Sequence, residues 1–210
     1  LANLVAGNLG VTAAVLAAAR AWPLQRLIHA GSVAELGDSG SAPASEDAPL
    51  RPCSDYGSAK AAATVLALGL ARTWRLPLVV LRLFGIYGPG ERPQRLVPHL
   101  CRHLLQGQPA ALTSGDQVRD WTYIDDVAAA MVAALAADLP AGSTYHLCSG
   151  VGRSVRSVGE RLAQLLDAPP NLLQWGALPQ RGDEAPVLVG DPARFCRDTG
   201  WRPQVTLDDG

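Results

Sequence analysis

The sequence predicts an α/β fold built on a parallel sheet, and three observations carry that prediction. Strand-like and helix-like segments alternate along the chain. The segment LVVLRLF (78–84) is apolar at consecutive positions, as suits a strand covered by helices on both faces. Of the 210 residues, 48% are hydrophobic, enough for a substantial core.

The elements follow in order. Residues 9–21 read as a helix of Ala and Leu, and LQRLIHAGS (24–32) as a short buried strand that ends in small residues. A loop rich in Gly, Pro, Ser and Asp spans 37–54, and a helix spans 57–73. The strand at 78–84 comes next, then the Gly/Pro loop GIYGPGERP. LVPHLCRHLLQG (96–107) reads as a helix stopped by Gly107, and an aspartate-capped helix runs from about 125 to 137. STYHLCSG (143–150) is a further strand, VRSVGERLAQLLDA (155–168) a helix, and the remainder is loop-rich.

Composition narrows the function classes. Eighteen basic residues against 19 acidic ones, with no basic stripe, argue against nucleic acid as a partner. No run of about 18 uninterrupted apolar residues calls for a membrane span. The opening LANLVAGNLGVTAAVLAAARAW comes closest, but Asn3, Asn8 and Thr12 break it, and it lacks the features of a signal peptide. Cys53, Cys101, Cys148 and Cys196 form no CxxC pair, so they read as reduced thiols in a cytoplasmic protein, without a metal site. His99 and His103 share a helix face with no further ligand in view, and RGD at 181–183 reads as a chance tripeptide. The chain opens at Leu1 within a helix-like pattern, so it reads as starting part-way through a fold.

The stretch SDYGSAK carries the chemistry. Ser54 or Asp55 can cap a helix that holds Tyr56 and Lys60 one turn apart on one face. An ammonium beside a phenol favours the phenolate, which suits a tyrosine to general acid–base work. Ser32 ends a predicted strand, where reacting groups of open parallel sheets gather.

Taken with RLIHAGSVAELGD, EDAPLRPCSDYGSAKAAATVLAL, LPLVVLRLFGIYGPGERP, GDQVRDWTYIDDVAAA and RFCRDTGWRP, these features resemble the extended short-chain dehydrogenase/reductase family. The resemblance is to its NAD-dependent epimerase/dehydratase branch, which acts on nucleotide sugars, and it covers essentially the whole chain. It implies a Rossmann-like doubly wound parallel sheet, N-terminally incomplete, with a smaller C-terminal α/β substrate lobe. Residues 1–90 would belong to the dinucleotide-binding domain and 91–210 mainly to the substrate lobe, with 120–150 returning to the core. It implies Tyr56 as the proton-transfer residue, Lys60 as the ribose-holding lysine, Ser32 as the third catalytic member and Asn8 as support for the lysine. Phe84, Gly85 and Ile86 would line the nicotinamide, and Arg119 and Arg181 would grip the diphosphate.

NAD is the implied cofactor, with NADP left open, and a nucleotide-diphosphate sugar the implied substrate. A homodimer is expected for the full-length protein. The first reading of the reaction is C4 epimerisation through a transient 4-keto sugar. A 4-keto-sugar reductase and a non-catalytic nucleotide-sugar binder stand as alternatives. A 4,6-dehydratase fits less well, because that branch carries Asp and Glu where this chain has Val33 and Ala34. Two other departures concern specificity: Gly85 stands where the family commonly has Asn, and Leu36 where it has Tyr. No GxxGxxG occurs.

Overall fold

A computed structural model describes residues 2–210. Its centre is a parallel sheet of β1 (Leu27–Ser32), β2 (Leu78–Leu83) and β6 (Thr144–Leu147), in the order β1-β2-β6. Leu27 pairs with Leu78 and Ser32 with Leu83; Val80 pairs with Thr144 and Leu83 with Leu147. Strand β2 shows why the sheet needs cover on both sides. Leu78 and Val80 pack with Leu16, Ala19, Ala67 and Ala71, whereas Val79 and Leu81 pack with Val127, Ala130, Tyr145 and Phe195. Successive side chains of a strand point to opposite faces, so this single apolar run feeds two cores.

The first core is covered by α2 (Val11–Ala19) and α3 (Asp55–Trp74). Ahead of α2 lie a short helix, α1 (Ala2–Val5), and a π-helical turn, Ala6–Gly10, so helix begins well before the expected residue 9. The 18-residue span Ala2–Ala19, mean hydropathy 1.6, is long and apolar enough to cross a membrane by length and composition, a match that the predicted interruptions at Asn3, Asn8 and Thr12 do not prevent. In the fold, Leu16 and Ala19 pack it against α3 and β2. The second core is covered by α5 (Ile124–Ala136) and α7 (Ala193–Thr199).

A third cluster joins α4 (Leu96–Leu105) and α6 (Val155–Leu165) to the paired strands β4 (Ala110–Ala111) and β8 (Leu173–Gln174), through Leu100, Leu104, Ala163 and Leu173.

Other strands stand where loops were expected. Within the Gly/Pro loop, β3 (Gly85–Tyr87) pairs in parallel with β5 (Val118–Tyr123). Strand β5 also pairs with β7 (Gly152–Ser154) and β9 (Val187–Leu188). Partners this distant in sequence supply hydrogen bonds that no local pattern announces. The predicted strand at 24–32 starts later, at Leu27, whose amide donates to the Pro77 carbonyl, while the Arg26 guanidinium donates to the carbonyls of Ala137 and Leu139. The aspartate cap expected for α5 is corrected: Asp125 and Asp126 lie inside its first turn, and Tyr123 at the cap makes no side-chain bond. Asp126 is scaffold instead, since Oδ2 accepts from the amides of Gln204 and Val205.

Candidate active site

Strand β1 delivers Ser32 to the carboxyl edge of the sheet, where the chain tightens into a 3-10 turn, Val33–Glu35. Ser32 caps that turn: its Oγ accepts from the Ala34 amide at 3.3 Å, and its own amide donates to Glu35 Oε1 at 2.8 Å. The first turn of α3 rides directly on this backbone. A Cβ on Gly57 would lie 2.3 Å from the Ala34 carbonyl oxygen, so only glycine permits the approach. Ser54 caps α3 by accepting from the Gly57 amide at 3.1 Å, which selects one of the two expected caps. The result sets Tyr56, 48% exposed, beside the Ser32 turn.

Both residues line a cavity of about 1050 Å³, together with Val33, Ala34, Phe84, Gly85 and Ile86. Arg119 and Arg181 also line it, so the structure brings the expected catalytic hydroxyls and diphosphate-binding arginines to one cleft. Lys60 and Asn8 line a second, smaller cavity of about 260 Å³, with His29. Lys60 Nζ donates to the Ala30 carbonyl at 2.5 Å, and Asn8 Nδ2 to the Leu4 carbonyl at 2.9 Å. Burial lowers the Lys60 pKa, and the charge of Glu35 opposes that shift. Burial, with the Lys60 charge adding to it, pushes the His29 pKa down to about 4.

The two specificity departures behave differently. A Cβ on Gly85 would lie 2.6 Å from the Asp120 carbonyl oxygen, so the close pairing of β3 with β5 leaves no room for a side chain. Leu36 is buried and absent from the cavity wall, which corrects the expectation that it shapes the sugar end.

Arg119 is already engaged. Its Nη2 donates to Glu184 Oε1 at 2.8 Å, and its Nη1 to the carbonyls of Val118 and Pro186. Glu184, a cavity-lining residue, also accepts from Gln117 at 3.1 Å. Two functional candidates escaped the sequence reading. Glu184 gave no local signal. Glu35 did, because SVAE has the Ser-x-x-Glu spacing of a capping box, and the box is formed. His99 and His103 stack with ring centroids 4.1 Å apart, and no metal-binding group of acids, histidines and cysteines occurs among the described residues.

Comparison with known proteins adds an independent view. The family model described as NAD dependent epimerase/dehydratase family matches residues 2–148. The chain is similar to a dTDP-glucose 4,6-dehydratase of Actinoplanes sp., 28% identical over 207 residues, covering 98% of this chain and 64% of the relative. Among solved structures it is similar to the dTDP-glucose 4,6-dehydratase DesIV of Streptomyces venezuelae with NAD bound, at TM-score 0.92 and 28% identity, covering 98% of this chain and 63% of that one. It is similar as well to the UDP-glucuronic acid 4-epimerase of Bacillus cereus in complex with UDP-glucuronic acid and NAD. There the TM-score is 0.91 and the identity 27%, covering 98% of this chain and 65% of that one. The chain thus spans less than two thirds of the length of each of these proteins.

Proposed function

The chain belongs to the NAD-dependent epimerase/dehydratase family, and from that membership we propose that it serves epimerisation of a nucleotide-diphosphate sugar at C4. The observation that carries the choice of reaction is the floor of the cleft beside Ser32. Val33 and Ala34 form it, and neither can ionise. The one carboxylate of that turn, Glu35, is fully buried and bonded to Ser32, Thr64 and Arg82. Elimination of the C6 hydroxyl needs an acid and a base there, and this turn offers the cleft neither.

The residues present fit the nicotinamide end of NAD: Tyr56, Phe84, Gly85 and Ile86 stand in one wall of a cavity roomy enough for it. No residue of this chain is assigned to the pyrophosphate. NAD held there would supply reversible hydride exchange at the sugar C4, which leaves the overall reaction redox-neutral.

The chain's own residues handle the proton and the position. Tyr56 takes the proton of the C4 hydroxyl and later returns it, while Ser32 Oγ donates to the oxygen that becomes a ketone. Lys60 lies one helical turn from Tyr56 on α3, with its ammonium on the Ala30 carbonyl, where it would hold the ribose next to the nicotinamide. Arg119 and Arg181 hold the diphosphate, for which a planar guanidinium fork is suited. The sugar then swings about that anchored end between the two hydride transfers.

The test is product analysis with UDP-glucose and dTDP-glucose in the presence of NAD. A 4-epimer resolved by NMR supports the reading. A 4-keto-6-deoxy sugar detected by mass spectrometry refutes it, as does net consumption of NADPH with a 4-keto sugar. Tyr56→Phe lowers turnover by about 10²–10⁴-fold with nucleotide-sugar affinity kept; near-normal turnover removes Tyr56 from the proposed role.

A further inference from the structure

We infer that Glu35 is a positioning residue that ties the Ser32 turn to the helix face carrying Tyr56 and Lys60, an inference that rests on the reaction proposed above. Glu35 is wholly inaccessible to solvent, and its two oxygens reach three elements. Oε1 accepts from the Ser32 amide at 2.8 Å and from Thr64 Oγ1 at 2.9 Å. Oε2 accepts from Arg82 Nε at 3.1 Å. Thr64 lies on α3 eight residues after Tyr56 and four after Lys60, so all three share one helical stripe. Arg82 lies on β2 two residues before Phe84 and pairs with Gly31, the neighbour of Ser32.

The fold makes room for this carboxylate. A Cβ on Gly31 would stand 2.9 Å from Glu35 Oε1 and 3.2 Å from Arg82 Cγ. Glycine at that position therefore leaves the space that the carboxylate and the guanidinium share. A single buried oxygen thus holds both the residue that would bind the reacting oxygen and the helix that would move its proton. The spacing of Ser32 Oγ from the Tyr56 phenol is then set by a rigid bridge, where a flexible loop would allow drift. Burial lowers the Lys60 pKa, and the charge of this same anion opposes that shift.

The test compares Thr64→Val, which removes one hydrogen bond of the bridge, and Glu35→Gln, alone and combined with Ser32→Ala. With UDP-glucose or dTDP-glucose and NAD, Thr64→Val lowers kcat about tenfold with KM nearly unchanged, because small misplacements of reacting groups cost rate. Thr64→Ser restores it. In the Ser32→Ala background Thr64→Val has no further effect, since the residue it positions is gone. An equal loss in both backgrounds, or none in either, overturns the inference. Insensitivity of turnover to Tyr56→Phe overturns the proposed reaction and leaves the bridge to be judged by a second measurement. That measurement is amide hydrogen exchange of residues 32–35 without substrate, which Thr64→Val and Glu35→Gln accelerate about tenfold as the turn loosens. Unchanged exchange in both variants refutes the bridge whatever the activity.

Discussion

One ion pair lines the cleft and another is buried beneath the Ser32 turn, and they differ in their access to water. Glu35 and Arg82 are sealed, with side chains 0% and 6% exposed. Arg119 and Glu184 lie in the cavity wall at 14% and 27%. The sealed pair has every hydrogen bond supplied by protein, and no solute can reach it. The open pair holds a cation whose charge partner is one side chain on the 181–186 segment, and under the proposed function a diphosphate competes for it. On that proposal the sealed charge holds geometry and the open charge is available for exchange. Burial of a pair is costly to break once made, whereas a solvent-facing pair contributes little and is easily replaced.

The largest expected effect tests the sealed side. Glu35→Ala strands the Arg82 guanidinium without its carboxylate partner and lowers unfolding free energy by about 3–5 kcal/mol, measured by urea denaturation. A loss under about 1 kcal/mol would place this pair on a level with the open one.

The next effect is a pH dependence of the sealed region. His146 lies behind Phe84, its ring edge-on at 5.2 Å, with Nδ1 near the Ala44 carbonyl. Burial, and then the Arg82 charge, push its pKa down to about 4, while the Ala44 carbonyl and Asp191 oppose the shift. The folded form therefore keeps His146 neutral while the unfolded chain binds a proton below its ordinary value of 6.5. Stability from this group is complete above pH 6.5 and is lost as pH falls towards 4. The loss is on the order of 3 kcal/mol. His146→Asn flattens that slope in denaturation measured from pH 7 to pH 4, and an unchanged slope rules out His146 as its source.

The open side should respond to ligand more than to denaturant. Arg119→Ala weakens UDP or dTDP binding by about 1.5–3 kcal/mol, read by calorimetry, and changes stability by less than about 1 kcal/mol. Stability loss without affinity loss would make Arg119 a structural residue like Arg82. The smallest effect belongs to Glu184→Gln. Removing the competing anion raises nucleotide affinity a few-fold, about 1 kcal/mol or less. Weaker binding in that variant would mean that Glu184 orients Arg119 for the ligand and does not compete with it.

The legibility of these regions in the sequence follows the same divide. Ser32, Tyr56 and Lys60 stand in short segments whose local patterns carry meaning: a strand ending in small residues, and a capped Ala-rich helix with an i,i+4 pair. Arg119 and Arg181 were found through their motifs, and both line the cavity. The partners that decide what these residues do were far harder to see. Glu35 showed a capping-box spacing, yet its ion pair with Arg82 spans 47 residues. Glu184 reaches Arg119 across 65 residues with no local mark at all. Lys60 and Asn8, read as members of one catalytic set with Ser32, line a separate cavity.

By itself the sequence determined the α/β class and the order of the main helices and strands, and it singled out Ser32 and Tyr56, which share one cleft. Each depends on contacts within a turn or two of helix, or on alternation along one strand, where side-chain periodicity records burial directly. Tertiary structure decided the rest. It made strands of Gly85–Tyr87 and Val187–Leu188, because a two- or three-residue strand exists only through its hydrogen-bonded neighbour. It required glycine at 57 and 85, because a backbone carbonyl oxygen from another segment occupies the space of a side chain. It also gave Arg82 and Arg119 different surroundings, since each guanidinium is paired with an anion distant in sequence and water reaches only the Arg119 pair.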